Sequence, residues 1–516
     1  MDENTSMTKV KWLVVAAAWC FIIGLGVTGY KWFIEPSIIK QEEIAKEKEE
    51  EEILDKTSSQ SRFAHTVNIH LDGFSGYALL RTHTFRDECA KKGIRIVLVD
   101  DKANYPDRLK ALADGKCEMA VFTWDALIKT SASYGDKPPA TIVGLIDETK
   151  GADAIVAAGD VFPNIDAMND PSVKVVVTPD SPSEFMTRVI MHHYNLPQLP
   201  KDPFVPVDGA GEVYNRYKSA NPKTKQVYAL WEPYVTKMAS NPDFHILTDS
   251  SKFRGYIVDV MVCSRHYLVE HESVVEDVMK AYLTTVFLHR SDMVDVVFED
   301  SKQTLDKEQS KKLVDTIWFK NTTETFGHFG FTSGGGLQHM EEIGANITEV
   351  LVKTGAISKD PADGRASMWY YDGIMRRLFD NSWYPGFESE GVRKESVLAR
   401  LSDEEWKDIL PVGTLNVPRL VFKRGSSELS TSSLSTLDIL TKQLETWPQY
   451  YLVVRGHSQK TDNVEVQEQN EALAKKRAQS AVSYLIGMGI NADRIRADSS
   501  PNGSSTVQFL LGEVPY

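Results

Sequence analysis

The chain has 516 residues, of which 42% are hydrophobic and 25% charged, and its formal net charge is −14. This length exceeds what one hydrophobic core usually organises, so several domains are expected. The acidic balance argues against nucleic acid as a partner, because phosphate backbones are bound by basic surfaces. No C-x-x-C pair is present, which argues against a zinc cage or a redox motif, but spacing alone leaves disulfide pairing open. The cysteines are Cys20, Cys89, Cys117 and Cys263.

An uncharged apolar segment runs from Trp12 to Tyr30 and is preceded by Lys9 and Lys11. At about 1.5 Å per residue it can cross a bilayer core of about 30 Å. A cleaved signal peptide is the alternative, but the segment is longer than a usual signal core and no small-residue cleavage motif follows it. We therefore predict an uncleaved transmembrane anchor over residues 1–34, in the inner membrane, followed by a charged helical stalk over 35–62.

Predicted strands and helices alternate over residues 63–400. Val67, Ile69 and Leu71 alternate with polar residues, and the segment "SVKVVVTPDSPSEFMTRVIMHHYNLP" reads as a strand, a turn and a helix. Such alternation predicts an α/β fold with mainly parallel sheets, and the length of the region favours two lobes.

The order of motifs in this region resembles the type II periplasmic solute-binding proteins of the nitrate, sulfonate and thiamine-precursor class. The matching segments, in chain order, are "HLDGFSGY", "GKCEMAVFTWD", "GADAIVA", "NIDAMNDPSVKVVVTPDSPSEFMTRVI" and "ALWEPYV". The resemblance covers residues 63–288 well and 334–379 loosely. It implies a two-lobed fold whose cleft closes on a small solute.

Carried over by position, the resemblance implies a set of cleft residues at strand ends and helix starts. Ordinary core, turn or capping roles are the alternative for each of them. The implied ligand-binding residues are Phe74, Ser75, Thr123, Trp124, Asp153, Ser183, Trp231, Glu232 and Asp259.

Carboxylates outnumber basic residues near these loops. Aromatic faces combined with carboxylates suit amines or cationic rings, whereas binders of simple oxyanions use Arg, Lys or helix N-termini. This favours a nitrogen-containing or zwitterionic solute, although the carboxylates could instead pair with bases elsewhere in the fold. No P-loop, G-x-S-x-G or H-E-x-x-H motif occurs, so an enzyme is not expected, and neither a cofactor nor a metal site is predicted.

The C-terminal region reads as a compact α+β unit over residues 415–516, after a proline-containing linker over 401–414. Its segments "FKRGSSELS", "GH", "NEALAKKRA" and "GINADRI" resemble the OmpA-like peptidoglycan-binding domain. In that family an Asp and an Arg hold the ammonium and the carboxylate of a diaminopimelate side chain.

The resemblance implies peptidoglycan-binding residues Asp462, Asn470 and Arg477. Three extra residues separate "GH" from "TD" here, yet the interval from Asp462 to Arg477 equals the family's interval. In the alternative alignment, "GHSQ" takes the place of the family's "GHTD", so Gln459 stands where the family has its Asp, and ligand binding is in doubt. With the Asp462 register, both side chains are expected to converge on one shallow pocket.

Together these features predict a single-pass inner-membrane protein with most of its chain in the periplasm. Its middle domain would bind a small solute for transport or sensing, with a transporter permease as a further partner, and its last domain would bind peptidoglycan. The alternative is a structural tether of the envelope whose middle domain contacts a protein partner instead of a solute.

Overall fold

The computed structural model of the chain describes residues 63–221, 223–302, 304–332, 336–386, 391–393, 398–501 and 506–515. The predicted anchor and stalk lie outside these residues. Within the described ranges, no helix is both long enough and apolar enough to cross a membrane. The residues from His65 onward form one compact unit.

Strands are named here in chain order. They are β1 (His65–Leu71), β2 (Ile94–Asp100), β3 (Met119–Thr123), β4 (Ala140–Thr149), β5 (Asp153–Ala158), β6 (Lys174–Val177), β7 (Phe204–Pro206), β8 (Gln226–Trp231), β9 (Phe244–Asp249), β10 (Val258–Ser264), β11 (Ile317–Phe319), β12 (Leu410–Thr414), β13 (Tyr451–His457), β14 (Ile495–Ser500) and β15 (Val507–Glu513).

Helices are named in the same way. They are α1 (Ala78–Arg81), α2 (His83–Ala90), α3 (Tyr105–Ala113), α4 (Trp124–Ser131), α5 (Pro182–His193), α6 (Gly209–Ser219), α7 (Tyr234–Ala239), α8 (Arg265–Leu288), α9 (Met293–Asp300), α10 (Lys307–Asp315), α11 (Thr322–His328), α12 (Met340–Lys353), α13 (Gly373–Asp380), α14 (Thr431–Glu445) and α15 (Val464–Gly487).

The middle region consists of two lobes, each built on its own sheet. The first sheet has the order β11-β4-β10-β3-β1-β2 and the second the order β7-β6-β8-β5-β9. In β1 the alternating residues Val67, Ile69 and Leu71 are buried, which confirms the predicted strand and its inward face. The same apolar core holds three buried cysteines, Cys89, Cys117 and Cys263, and all three are free thiols.

Both sheets are mixed, so the prediction of mainly parallel sheets is wrong. Parallel pairs join β1 to β2 and β3 in the first lobe, and β6 to β7 and β8 in the second. Antiparallel pairs join β10 to β3 and β4, and β5 to β8 and β9. The cause is that the chain leaves the first sheet through β4 and returns through β10, so the outgoing and returning strands run in opposite directions.

Two segments connect the lobes, one between β4 and β5 and one between β9 and β10. The backbone N–H groups of Gly151 and Asp153 donate to Ser250 Oγ, at 2.8 and 3.3 Å. Gly151 has a φ of 113°, a conformation that glycine adopts without steric cost. The N–H of Thr149 donates to the carbonyl oxygen of Ile257 at 3.0 Å. The two connections are therefore hydrogen-bonded to each other, an arrangement typical of a hinge.

The C-terminal unit is a sheet in the order β12-β15-β13-β14, with α15 packed against β13, β14 and β15 and α14 packed against α15. This confirms the predicted α+β unit. Its sheet begins earlier than expected, because β12 lies within the predicted linker and pairs with β15. Pro411 is compatible with this edge strand, since the pairing shifts register between Pro411 and Gly413 and an edge position tolerates the missing N–H group.

An aromatic cluster docks the C-terminal unit on the second lobe. Trp447, which follows α14, is fully buried and stacks on Tyr194, which follows α5, with ring centroids 5.6 Å apart. Its ring also meets the rings of His193 and Phe253 edge-on, each at 5.1 Å. Phe253 belongs to the connection between β9 and β10, so the C-terminal unit also contacts the hinge.

Polar contacts surround this cluster. The N–H of Thr414 donates to Asp166 Oδ1 at 2.8 Å, and the N–H of Arg254 donates to the carbonyl oxygen of Thr446 at 2.8 Å. The Thr248 and Tyr450 hydroxyls lie 3.1 Å apart, within hydrogen-bonding distance. The C-terminal unit is therefore fixed on its neighbour by buried aromatic and hydrogen-bonded contacts.

Candidate functional site

A cleft of about 1000 Å³ lies between the two lobes, beside the hinge. Its walls come from the turns after β1, β2, β6 and β7, from the ends of β3 and β8, and from the starts of β5 and β10. The carboxyl ends of strands in such sheets expose loops and helix starts, which is where polar ligand-binding groups collect.

The cleft brings together most of the residues that the sequence predicted for it. Two of the predicted residues, Trp124 and Ser183, are fully buried and do not line it. Trp124 packs against α12, where a side chain added at Gly344 would lie 2.9 Å from Trp124 Cζ2. The predicted residues that do line the cleft are Phe74, Ser75, Thr123, Asp153, Trp231, Glu232 and Asp259.

Three side chains form a row across the first sheet; Thr123 and Asp259 line the cleft, and Asp147 lies next to Asp259 outside the lining. Asp259 on β10 lies directly opposite Thr123 on β3 and opposite Asp147 on β4. Directly opposed residues of antiparallel strands project from the same face of the sheet, so the three side chains are neighbours. The Tyr77 hydroxyl donates to Asp259 Oδ1 at 2.6 Å.

The pKa values of both carboxyls of this row are raised. Burial, and then the proximity of Asp147, raise the pKa of Asp259 well above its ordinary value. Burial also raises the pKa of Asp147 to about 7. Two carboxyls this close and this buried do not both ionise, so one stays protonated and hydrogen-bonds to the other. We assign the proton to Asp259, whose pKa is raised more strongly.

The second lobe contributes another buried carboxyl. Asp153 at the start of β5 accepts a hydrogen bond at 2.5 Å from the hydroxyl of Ser183, so Ser183 acts on the cleft through Asp153. Burial raises the pKa of Asp153 to about 7. Trp231 lies directly opposite Asp153 on β8 and lines the cleft beside it. The next residue, Glu232, accepts a hydrogen bond from the Thr236 hydroxyl at 2.7 Å.

Other carboxylates around the cleft are neutralised by the protein itself. Arg108 donates to Asp72 at 3.0 Å and to Asp101 at 2.7 Å. Arg81 pairs with Asp300 at 2.6 Å. In contrast, no ion pair to Asp153, Asp147 or Asp259 is formed by the described residues. The buried carboxyls in the sheet row and at the start of β5 therefore have no cationic partner among the described residues.

Aromatic rings line the same space. The rings of Phe74 and Tyr77 meet edge-on with centroids 5.3 Å apart, and Tyr105 and Trp231 also line the cleft. Rings of this kind provide apolar contact area and faces that attract cations.

Sequence reasoning missed Tyr77 and Asp147 as members of the site. Tyr77 is the last residue of the quoted segment "HLDGFSGY". Asp147 interrupts the apolar strand "ATIVGLIDET", and an acidic residue inside a buried apolar strand was a usable signal. Its proximity to Asp259 depends on strand register, which could not be read from sequence.

In the C-terminal unit, α15 carries two of the three predicted peptidoglycan-binding residues. Asn470 and Arg477 are separated by seven residues and lie on one face of the helix. Arg477 is half-buried, and its Nε donates to the carbonyl oxygen of Ser426 at 3.0 Å. Its guanidinium lies 5.1 Å from the centre of the Phe422 ring. Burial, and then the positive charge of Arg419, lower its pKa.

Asp462 does not converge on Arg477. It lies two residues before Val464, the first residue of α15, and Arg477 is fourteen residues into that helix. At 1.5 Å per residue, the two residues are separated by about 20 Å along the helix axis. One amino acid end cannot bridge that distance, because the helix begins earlier than the sequence suggested.

The end of β13 contacts α15 much closer to Arg477. A side chain added at Gly456 would overlap the backbone of Ala474, one turn before Arg477. The residues that directly follow β13, including Gln459, are therefore better candidates than Asp462 for the ligand-binding position opposite Arg477.

Comparison with known proteins finds a match for the C-terminal unit. Residues 421–507 match the OmpA family. Over 87 residues the OmpA-like domain is 31% identical to a peptidoglycan-associated lipoprotein of Rhizobium meliloti, covering 17% of this chain and 48% of that protein. The chain thus spans about half the length of this curated relative.

The lobed region is similar to solved structures of periplasmic binding proteins. One is the aliphatic sulphonate binding protein SsuA from Escherichia coli, with 14% identity, a TM-score of 0.45 and coverage of 60% of this chain and 99% of that one. Another is the nitrate-binding protein NrtA from Synechocystis, with 11% identity, a TM-score of 0.45 and coverage of 61% and 88%. The two lobes, the cleft and the double connection described above make this region periplasmic-binding-protein-like in fold.

Proposed function

We propose that the chain binds a small, nitrogen-containing solute between its two lobes and attaches to peptidoglycan through its OmpA-like domain. Residues 1–34 anchor it in the inner membrane and the remainder lies in the periplasm, where it serves transport or sensing, with a transporter permease as a partner. The observation that carries the proposal is the cleft itself, which combines unpaired buried carboxyls with aromatic walls beside a two-segment hinge.

A solute in this cleft would contact both lobes at once. Asp259 and Phe74 belong to the first lobe, and Asp153 and Trp231 to the second. A ligand that bridges the two walls stabilises the closed arrangement, since each lobe supplies only part of the contact surface. This role is that of a binding protein and requires no chemical step.

A screen of the full-length chain in detergent micelles tests the solute site. A bound solute should raise the melting temperature by mass action, and the Trp231→Ala variant should lose the increase because it removes a large contact face. Trp406, on the OmpA-like domain, provides a matched control, and Trp406→Ala should retain the increase. If no small metabolite stabilises the wild-type chain, or if Trp231→Ala responds as the wild type does, the proposal fails.

Sedimentation with purified sacculi tests the peptidoglycan site. The Arg477→Ala variant should lose the partner of the ligand carboxylate and bind at least about tenfold more weakly, since charge-assisted hydrogen bonds contribute roughly 1.5–3 kcal/mol each. Given their separation in the structure, Asp462→Ala should have a smaller effect than Gln459→Ala. Failure of the wild-type chain to sediment with sacculi would refute this half of the proposal.

A further inference from the structure

The geometry points to a linear diamine in its dicationic form as the solute. We infer that one ammonium is held by Asp259 and Thr123 in the first lobe and the other by Asp153 in the second. We also infer that binding expels the proton of Asp259. This inference rests on the proposed solute site and specifies its ligand.

The row across the first sheet has unused hydrogen-bond acceptors and no cationic donor. Thr123 Oγ1 is buried and lines the cleft, and it has no hydrogen-bond partner among the described residues. Apart from Asp259, no described residue donates a hydrogen bond to the carboxyl oxygens of Asp147. An ammonium carries three donors and no acceptor, which complements a hydroxyl oxygen and a carboxylate. The Phe74 and Tyr77 rings beside the row add faces that attract a cation.

The second lobe repeats the same chemistry. Asp153 receives one hydrogen bond from Ser183 and forms no ion pair with a described residue. The Trp231 side chain projects from the same face of the sheet, because Trp231 is the cross-strand partner of Asp153. One carboxyl with an aromatic neighbour on each wall matches a ligand with a positive charge at each end.

The charge of the cleft excludes the opposite ligand class. Among the described lining residues there are eight carboxyl side chains and one basic side chain, Lys102, and no arginine. A sulfonate, nitrate or carboxylate would find one ammonium and no guanidinium among these lining side chains, whereas anion sites present guanidinium groups or lysines.

Proton release follows from charge balance in the buried row. Without ligand and above about pH 7, Asp259 keeps its proton while Asp147 is ionised, so the pair carries one negative charge. When an ammonium enters, both carboxylates can ionise, and the displaced proton leaves to solvent. Lys320, which faces Asp147, is already paired with Glu148 at 2.6 Å and does not replace the ligand charge. The groups facing Asp259 are Asp147, Tyr77, Asp72, Tyr105 and Tyr282.

Isothermal titration of the full-length chain in detergent micelles tests the inference. The probes are 1,4-diaminobutane, n-butylamine and 1-butanesulfonate, each in two buffers of different ionisation enthalpy at pH 8.0, which lies above the pKa of about 7 of Asp147 and Asp153. The diamine should bind at least about tenfold more tightly than the monoamine, because the second charge-assisted contact is lost in the latter. The sulfonate should not bind. The heat of diamine binding should differ between buffers and report release of about one proton.

Variants of the two carboxyls distinguish this inference from general charge attraction. Asp259→Asn should lower diamine affinity at least about tenfold and remove the buffer dependence, since the pair then has no proton to release. Asp153→Asn should bring diamine affinity close to that of the monoamine. Asp114→Asn removes an exposed carboxylate outside the cleft and should match the wild type in both respects.

Several outcomes would overturn the inference. Sulfonate binding without diamine binding would overturn the ligand class and leave the proposed solute site intact, whereas no solute binding in any screen would overturn both. Equal affinities for diamine and monoamine would overturn the two-point contact. Identical heats in the two buffers, or an unchanged Asp259→Asn variant, would overturn the proton release.

Discussion

Trp447 is the residue whose removal should most weaken the attachment of the OmpA-like domain to the second lobe. Its ring is fully buried and contacts the rings of Tyr194, His193 and Phe253. Truncating a buried tryptophan to alanine costs about 3–5 kcal/mol. Aromatic pairs contribute about 0.5–1.5 kcal/mol beyond burial, so we expect Trp447→Ala to fall at the upper end of that range.

Urea unfolding of the full-length chain, followed by far-ultraviolet circular dichroism, measures this loss. The wild-type lobes and OmpA-like domain should unfold together, whereas Trp447→Ala should reduce the free energy of unfolding by about 3–5 kcal/mol and separate an earlier transition from the main one. The control is Trp406→Ala. Trp406 is half-buried, and its ring contacts Tyr451 at 5.6 Å and the Arg496 guanidinium at 5.9 Å, both within the C-terminal unit, so its loss should be about 1 kcal/mol.

Equal losses in the two tryptophan variants would refute this reasoning. So would a loss below about 1 kcal/mol in Trp447→Ala, because a buried ring that bridges two units cannot be removed at that cost. Such results would mean that the OmpA-like domain and the second lobe are not packed together as the structure shows.

Three further changes test the interior of the lobes. Gly76→Ala places a methyl group against Asp147, so it should lower the free energy of unfolding by about 1–3 kcal/mol in the same urea assay, and an unchanged value would contradict the close approach. Lys320→Met leaves Glu148 buried without its partner and should cost about 3–5 kcal/mol, whereas a neutral result would contradict the buried ion pair. Asp153, whose pKa rises from 3.8 to about 7 on folding, stabilises the fold most below about pH 4 and loses that contribution as pH rises through 7. Unfolding free energies measured from pH 5 to 8 should therefore fall less steeply in Asp153→Asn than in wild type, and parallel slopes would contradict the raised pKa.

Much of the architecture follows from local sequence patterns. The alternation of Val67, Ile69 and Leu71 has the period of a half-buried strand, and these residues are buried in β1. Ser181, followed three residues later by Glu184, has the spacing of a helix start, and its hydroxyl accepts a hydrogen bond from the Glu184 N–H at the start of α5. Features of this kind depend on residues a few positions apart, so the chain encodes them locally.

The features that sequence reasoning missed depend on distant residues. The Asp147–Asp259 pair forms through the register of two antiparallel strands, which no local period specifies. The docking of Trp447 on Tyr194 joins parts of the chain more than 250 residues apart. The position of Asp462 was predicted by matching the family's number of residues between the Asp and the Arg. Because α15 already begins at Val464, most of those residues are helical, and they separate Asp462 from Arg477 along the helix axis.

Native mass spectrometry of the full-length chain, released from detergent micelles after incubation with a periplasmic metabolite extract, tests the central claim most directly. The account predicts one small-molecule adduct of 1:1 stoichiometry on the wild-type chain, absent from Trp231→Ala and retained by Trp406→Ala. A wild-type chain that carries no adduct, or an adduct that persists in Trp231→Ala, would contradict the claim that the cleft between the lobes is a solute-binding site.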